Sequence, residues 1–165
     1  RLPGAIVMPR TTEDVQKIVK ICGRYGLPFV PYSTGFYGPR SHPHMDDELI
    51  IDMKRMQHFE WDEKHMYADI GPGIVYSSLQ QEAFNKGCYG VIGGGGAQCS
   101  AIANLLGDGW SPISLKIGLP HRRILGTELV LPDGELVKMG SLANCDDPFW
   151  GEGPGPDVSS EVLQV

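Results

Sequence analysis

Two clusters of small residues define the chemistry open to this chain. The first, Gly93-Gly94-Gly95-Gly96, lies within a stretch from Gly87 to Gly107 that contains no charged residue. Backbone N–H groups with no side chains in the way can face a bound anion, so such a block suits a phosphate. A Walker A loop needs Gly-Lys-Ser/Thr after its glycines, and here Ala97-Gln98-Cys99 follows instead. The dinucleotide fingerprint G-x-G-x-x-G also fails, because Gly93 and Gly95 lead to Gln98, while Gly94 and Gly96 lead to Cys99. The second cluster is Pro31-Tyr32-Ser33-Thr34-Gly35-Phe36-Tyr37-Gly38. It follows a predicted strand, and its hydroxyl pair beside a glycine can hydrogen-bond a diphosphate. Taken alone, the glycine block also reads as a flexible loop and the second cluster as a turn. Together they suit a long dinucleotide whose pyrophosphate is neutralised by backbone dipoles, since no Lys or Arg lies between Pro31 and Pro39.

Other reactive groups read more plainly. His42-Pro43-His44-Met45-Asp46-Asp47 gathers imidazoles and carboxylates, but Pro43 and the loop setting make joint coordination awkward. We read it as a solvated loop and expect no metal. His121-Arg122-Arg123 is the one basic triplet, suited to a phosphate, a substrate carboxylate or a surface turn. The cysteines at 22, 88, 99 and 145 show neither Cys-x-x-Cys nor a paired spacing, so buried reduced thiols in a cytoplasmic protein are expected.

The scaffold must position these loops within one domain, because the chain has 165 residues. A formal net charge of −6 argues against a nucleic-acid or polybasic membrane surface. Gly87 to Gly107 is long enough to span a bilayer, but its seven glycines with Gln98, Ser100 and Asn104 exclude a transmembrane helix. Ala5 to Met8 reads as a strand. Thr11 or Thr12 caps a helix whose stripe is Val15, Ile18, Val19 and Cys22, and Gly26 ends it. Further strands are expected at 27–31, 49–53, 59–62 and 66–70, and a second helix over 76–86 stops at Gly87. Pro132-Asp133-Gly134 sets a hairpin turn between strands at 126–131 and 135–139. The organisation is α+β, with an N-terminal subdomain of about 1–53 and a second of about 54–165.

The order of these pieces resembles the FAD-binding domain of the vanillyl-alcohol oxidase / p-cresol methylhydroxylase flavoprotein family. The matching pieces are Pro3 to Val7, Thr12 to Val15, Pro31 to Gly38, Leu49 to Met53 and Gly71-Pro72-Gly73-Ile74. Gly109-Trp110-Ser111-Pro112 and Gly126 to Glu135 follow in the same order. The resemblance implies the PCMH-type fold, two α/β subdomains with FAD between them. It also implies a flavin-dependent oxidoreductase, in which a small organic substrate, aromatic or a hydroxy acid, gives hydride to the flavin. The cofactor-binding residues it implies are Tyr32, Ser33, Thr34, Gly35, Phe36, Tyr37 and Gly38 in the first loop, with Pro72 and Gly73. In the glycine-rich region they are Gly94, Gly95, Gly96, Ser100, Asn104, Gly109, Trp110, Ser111 and Pro112, and on the last hairpin Glu128 and Val130. No catalytic residue is assigned. Gly35-Phe36 stands where a histidine-linked branch has Gly-His, so no covalent link is expected from this segment. The substrate belongs to a cap domain expected beyond position 165, or to a partner subunit, and a homo-oligomer is a further way to cover the flavin. The alternative reading is a non-catalytic subunit that carries FAD or serves as an interaction module in a larger complex.

Overall fold

The computed structural model describes residues 1–36, 43–89, 95–107 and 109–140. Its first layer is a parallel sheet of three strands, β1 (Ala5–Val7), β2 (Phe29–Tyr32) and β3 (Leu49–Asp52), in the order β1-β3-β2. Central β3 is the run Leu49-Ile50-Ile51-Asp52, apolar until its last residue, as a strand flanked on both sides requires. Pro31 is tolerated in β2 because β2 is an edge strand of this sheet.

Helix α1 (Thr12–Tyr25) connects β1 to β2, and both of its ends are written in the sequence. Thr11 Oγ1 accepts the Asp14 N–H at 3.2 Å, and Glu13 and Asp14 place negative charge in the first turn. At the other end Gly26 takes the left-handed conformation, φ 64°. The buried stripe packs Val15 and Val19 with Ile51 into a first core, joined by Val7, Phe29, Leu49, Met53 and Val130.

After β3 a 3-10 turn (Met53–Arg55) leads to an antiparallel hairpin of β4 (Phe59–Asp62) and β5 (Tyr67–Ile70). Asp62 closes the hairpin by accepting both the His65 N–H and its ring at 2.9 Å, contacts that hold the carboxyl below its ordinary range. Helix α2 (Tyr76–Asn85) and the short α3 (Ala101–Leu106) and α4 (Ser114–Ile117) follow. Ile74, Tyr76, Cys99 and Ala101 form a second core under Phe59, Ile70 and Leu79.

The chain then forms the hairpin of β6 (Gly126–Val130) and β7 (Leu136–Gly140), turning at Asp133-Gly134. This hairpin, grouped by the sequence reading with the second subdomain, leans on α1 of the first. Gln16 Nε2 donates to the Gly134 carbonyl at 2.9 Å, and Gly134, φ 81°, lies against the Lys20 side chain.

Candidate functional site: a cleft where three loops meet

The carboxyl ends of β2 and β3 are side by side, with Tyr32 opposite Asp52 in register. The chain leaving β2 is the Ser33–Phe36 loop, and the chain leaving β3 is the 3-10 turn. Ligands of open parallel sheets collect at this end of the strands. Gly35 stands at φ 68°, and the Tyr32 hydroxyl occupies the space a side chain at Gly35 would need. Only glycine fits both requirements.

Gly71-Pro72-Gly73 brings the second loop. Gly71 N–H donates to the His58 carbonyl at 2.8 Å and Gly73 N–H to the Met56 carbonyl at 2.9 Å. A Cβ on Gly73 would stand 2.8 Å from the Met53 carbonyl oxygen and 3.0 Å from that of Lys54. Backbone therefore packs directly on backbone here.

The third loop is the described part of the glycine-rich stretch, from Gly95. It runs beside residues 74–77: Tyr76 N–H donates to Cys99 O at 3.0 Å, Ser77 N–H to Ala97 O at 2.8 Å, and Ala101 N–H to Ile74 O at 2.9 Å. Gly95 leaves room for two neighbours, since its Cβ would stand 2.7 Å from Cys99 Sγ and 2.9 Å from the Phe36 ring. Thr34 Oγ1 accepts the Ser100 N–H at 3.3 Å, tying the first and third loops together.

A cleft of about 340 Å³ is lined by residues of these loops and their neighbours, among them Thr34, Lys54, Gln57, Gly73, Ser78 and Gln98. That volume falls within the ~300–1,000 Å³ of small-molecule sites and has room for a portion of a dinucleotide. Lys54 is the one charged residue lining it among the described residues. Sequence reasoning missed this lysine, because it weighed only the Pro31–Pro39 loop and the His121-Arg122-Arg123 triplet for a cation near phosphate. The available signal was the Asp-Met-Lys that ends β3, whose place beside the first loop follows from the parallel pairing.

The expected cofactor residues divide into groups. Thr34 and Gly73 line the cleft, Tyr32 and Ser100 touch the lining residues Lys54 and Thr34, and Ser33, Gly35, Phe36, Pro72, Gly95 and Gly96 sit within the same loops. The Ser100 hydroxyl serves the fold: it accepts the Ala103 N–H at 3.3 Å as the cap of α3 and donates to the Pro72 carbonyl at 3.4 Å.

Asn104 accepts the buried Tyr76 hydroxyl at 2.8 Å, and its amide rests on Gly109. Burial pushes the Tyr76 hydroxyl up to about 12, with the nearby Cys99 adding to it. Gly109, Trp110, Ser111 and Pro112 follow α3 and lie outside the cleft lining. Ser111 is buried, and its Oγ has no hydrogen-bond partner among the described residues.

Val130 turns its side chain into the first core, and Glu128 pairs across the hairpin with Lys138 at 3.7 Å, so neither side chain lines the cleft. Strand alternation alone did not reveal which face of β6 meets the core. Tyr37, Gly38 and Gly94 lie outside the described residues, as does His42. Among the described residues no cluster of three His, Cys, Asp or Glu is placed to hold a metal.

A parallel sheet with small-residue loops at its carboxyl edge is a scaffold of the kind that binds nucleotide ligands. The profile of the FAD binding domain family matches residues 3–140, and the chain belongs to that family. FAD is its cofactor. Glycolate oxidase subunit GlcD of Bacillus subtilis is 25% identical over 141 residues, covering 84% of this chain and 30% of that protein. The mitochondrial D-lactate dehydrogenase [cytochrome] 1 of Saccharomyces cerevisiae is 29% identical over 142 residues, 82% of this chain and 24% of that one. Among solved structures, 6-hydroxy-D-nicotine oxidase from Arthrobacter nicotinovorans superposes with a TM-score of 0.76 at 26% identity, over 82% of this chain and 30% of that chain. p-Cresol methylhydroxylase does so with a TM-score of 0.75 at 25% identity, over 94% and 32%. The fold is thus the PCMH-type α+β FAD-binding fold. The chain spans about a third or less of the length of these relatives.

Proposed function

We propose that this chain is the FAD-binding part of a flavin-dependent oxidoreductase that oxidises a small organic donor. The convergence of three small-residue loops on one cleft, joined by the Thr34–Ser100 hydrogen bond, carries the reading. In this reading the backbone of Ser33, Thr34, Gly35 and Phe36 takes the FAD diphosphate, Gly73 and Gly95 let the neighbouring loops pack closely around it, and Gly96 leaves open space beside them. Ser111, whose buried hydroxyl has no partner among the described residues, supports a second cofactor contact shared with Gly109, Trp110 and Pro112. Bound FAD would supply the hydride acceptor for the donor carbon, and the chain's own part is to bind and orient it.

A 2-hydroxy acid is the donor class supported by the names of three relatives, for glycolate, D-lactate and D-2-hydroxyglutarate. Residues that position the donor belong to a cap or a partner subunit. Titration of the purified chain with FAD tests the binding claim, with one equivalent taken up and the flavin fluorescence changed. A chain that takes up no FAD from excess contradicts it. For the complete protein, anaerobic bleaching of the flavin by glycolate or D-lactate supports the donor class, and bleaching by p-cresol alone replaces it with the aromatic one.

A further inference from the structure

We propose that Lys54 is the cation that binds the dinucleotide's diphosphate, held ready at the cleft by Asp52. The inference rests on the FAD reading and adds to it a charged group outside the glycine-rich loops. Lys54 follows β3 by two residues, and the register of Tyr32 with Asp52 sets it beside the first loop. Its ammonium lies 3.3 Å from Asp52 Oδ2 and 5.0 Å from the centroid of the Tyr32 ring. The Asp52 side chain is only 10% exposed, while that of Lys54 is 50% exposed and borders the cleft.

The geometry divides the work between the two groups. Asp52 uses Oδ1 to accept the Lys54 backbone N–H at 3.0 Å, which caps the 3-10 turn, and Oδ2 to hold the ammonium. An ammonium has three donors, so it can keep one on Asp52 and offer two to an anion. With the other described lining residues uncharged, an incoming diphosphate meets one positive group and no negative one on the wall. The chain as a whole carries a net charge of −6, which repels such a ligand and makes a local cation more useful. Lys54 is thus a binding residue and Asp52 a positioning one.

The test measures dissociation constants of FAD and ADP for the 165-residue chain at low and high salt. Lys54→Gln should weaken both about tenfold, the scale of one charge-assisted hydrogen bond, and flatten the salt dependence of FAD binding. Lys54→Arg should stay close to wild type, and Lys64→Gln, at the exposed hairpin turn, should not change it. The single glutamine variant leaves a buried carboxylate unpaired. The double variant Asp52→Asn/Lys54→Gln removes that fault, keeps a cap acceptor, and should show the same loss. FAD affinity within twofold of wild type in the double variant, with its salt dependence intact, overturns the role of Lys54 alone. Wild-type chain that binds neither FAD nor ADP overturns the FAD reading, and this role with it.

Discussion

The Thr34 hydroxyl accepts a hydrogen bond from the Ser100 N–H at 3.3 Å, across 66 residues of sequence. It joins the loop at the end of the parallel sheet to the segment that opens α3. The same Ser100 caps that helix and reaches Pro72. One small polar junction therefore fixes the relative positions of all three loops around the cleft.

Thr34→Val keeps the shape of the side chain and removes the acceptor. Leaving a partly buried N–H unsatisfied should cost roughly 1 kcal/mol of stability. FAD affinity should fall alongside it, because the two loops lose their tie. Urea unfolding and flavin fluorescence titration read the two effects separately, and unchanged affinity would separate the junction from the cofactor site.

Gly35→Ala places a Cβ at φ 68° and against the Tyr32 hydroxyl. The left-handed conformation alone costs about 1–2 kcal/mol for a residue with a Cβ. Because the strain falls on the loop assigned to the diphosphate, the variant should weaken FAD more than it lowers the melting temperature would suggest. Equal FAD affinity in the two proteins would count against that assignment.

Gly109→Ala drives a methyl into the Asn104 amide. Asn104 cannot retreat freely, since it accepts the buried Tyr76 hydroxyl at 2.8 Å. Overpacking of this kind costs about 1–3 kcal/mol. Thermal unfolding of the variant should show that loss, and a melting temperature equal to wild type would contradict the packing described.

Tyr76 gives a pH signature. Its folded hydroxyl is pushed up to about 12 by burial, against an ordinary 10. The neutral form is favoured in the folded state, so its contribution is fully present below pH 10 and is lost as pH rises to about 12. Stability should therefore fall over that window by on the order of 2 kcal/mol more in wild type than in Tyr76→Phe. Urea titrations at several alkaline pH values check this, and parallel curves for the two proteins would refute it.

Much of this architecture was legible because several levels of signal agree. For α1, the Thr11 cap, the Val15-Val19-Cys22 stripe and the Gly26 stop all point to the same helix. Helix α3 was not legible, because six residues in an uncharged stretch offer no useful periodicity. Its one clear signal is Ser100, a residue the sequence reading gave to the cofactor. In the cleft, glycines and hydroxyls marked the loops by their local chemistry. Lys54 was invisible to that reasoning because its position depends on how β3 pairs with β2, a relationship between distant segments. The two faces of β6 posed a similar problem, and packing against α1 decides that Val130 points to the core.

In the proposed function, FAD's diphosphate occupies the cleft between the Ser33–Phe36 loop and residues 72–78 and 95–100. Amide hydrogen exchange of the chain with and without FAD tests it most directly. FAD is expected to slow exchange at residues 33–36 and 95–100 strongly, and in α1 little. Equal protection of those loops in both samples would contradict it.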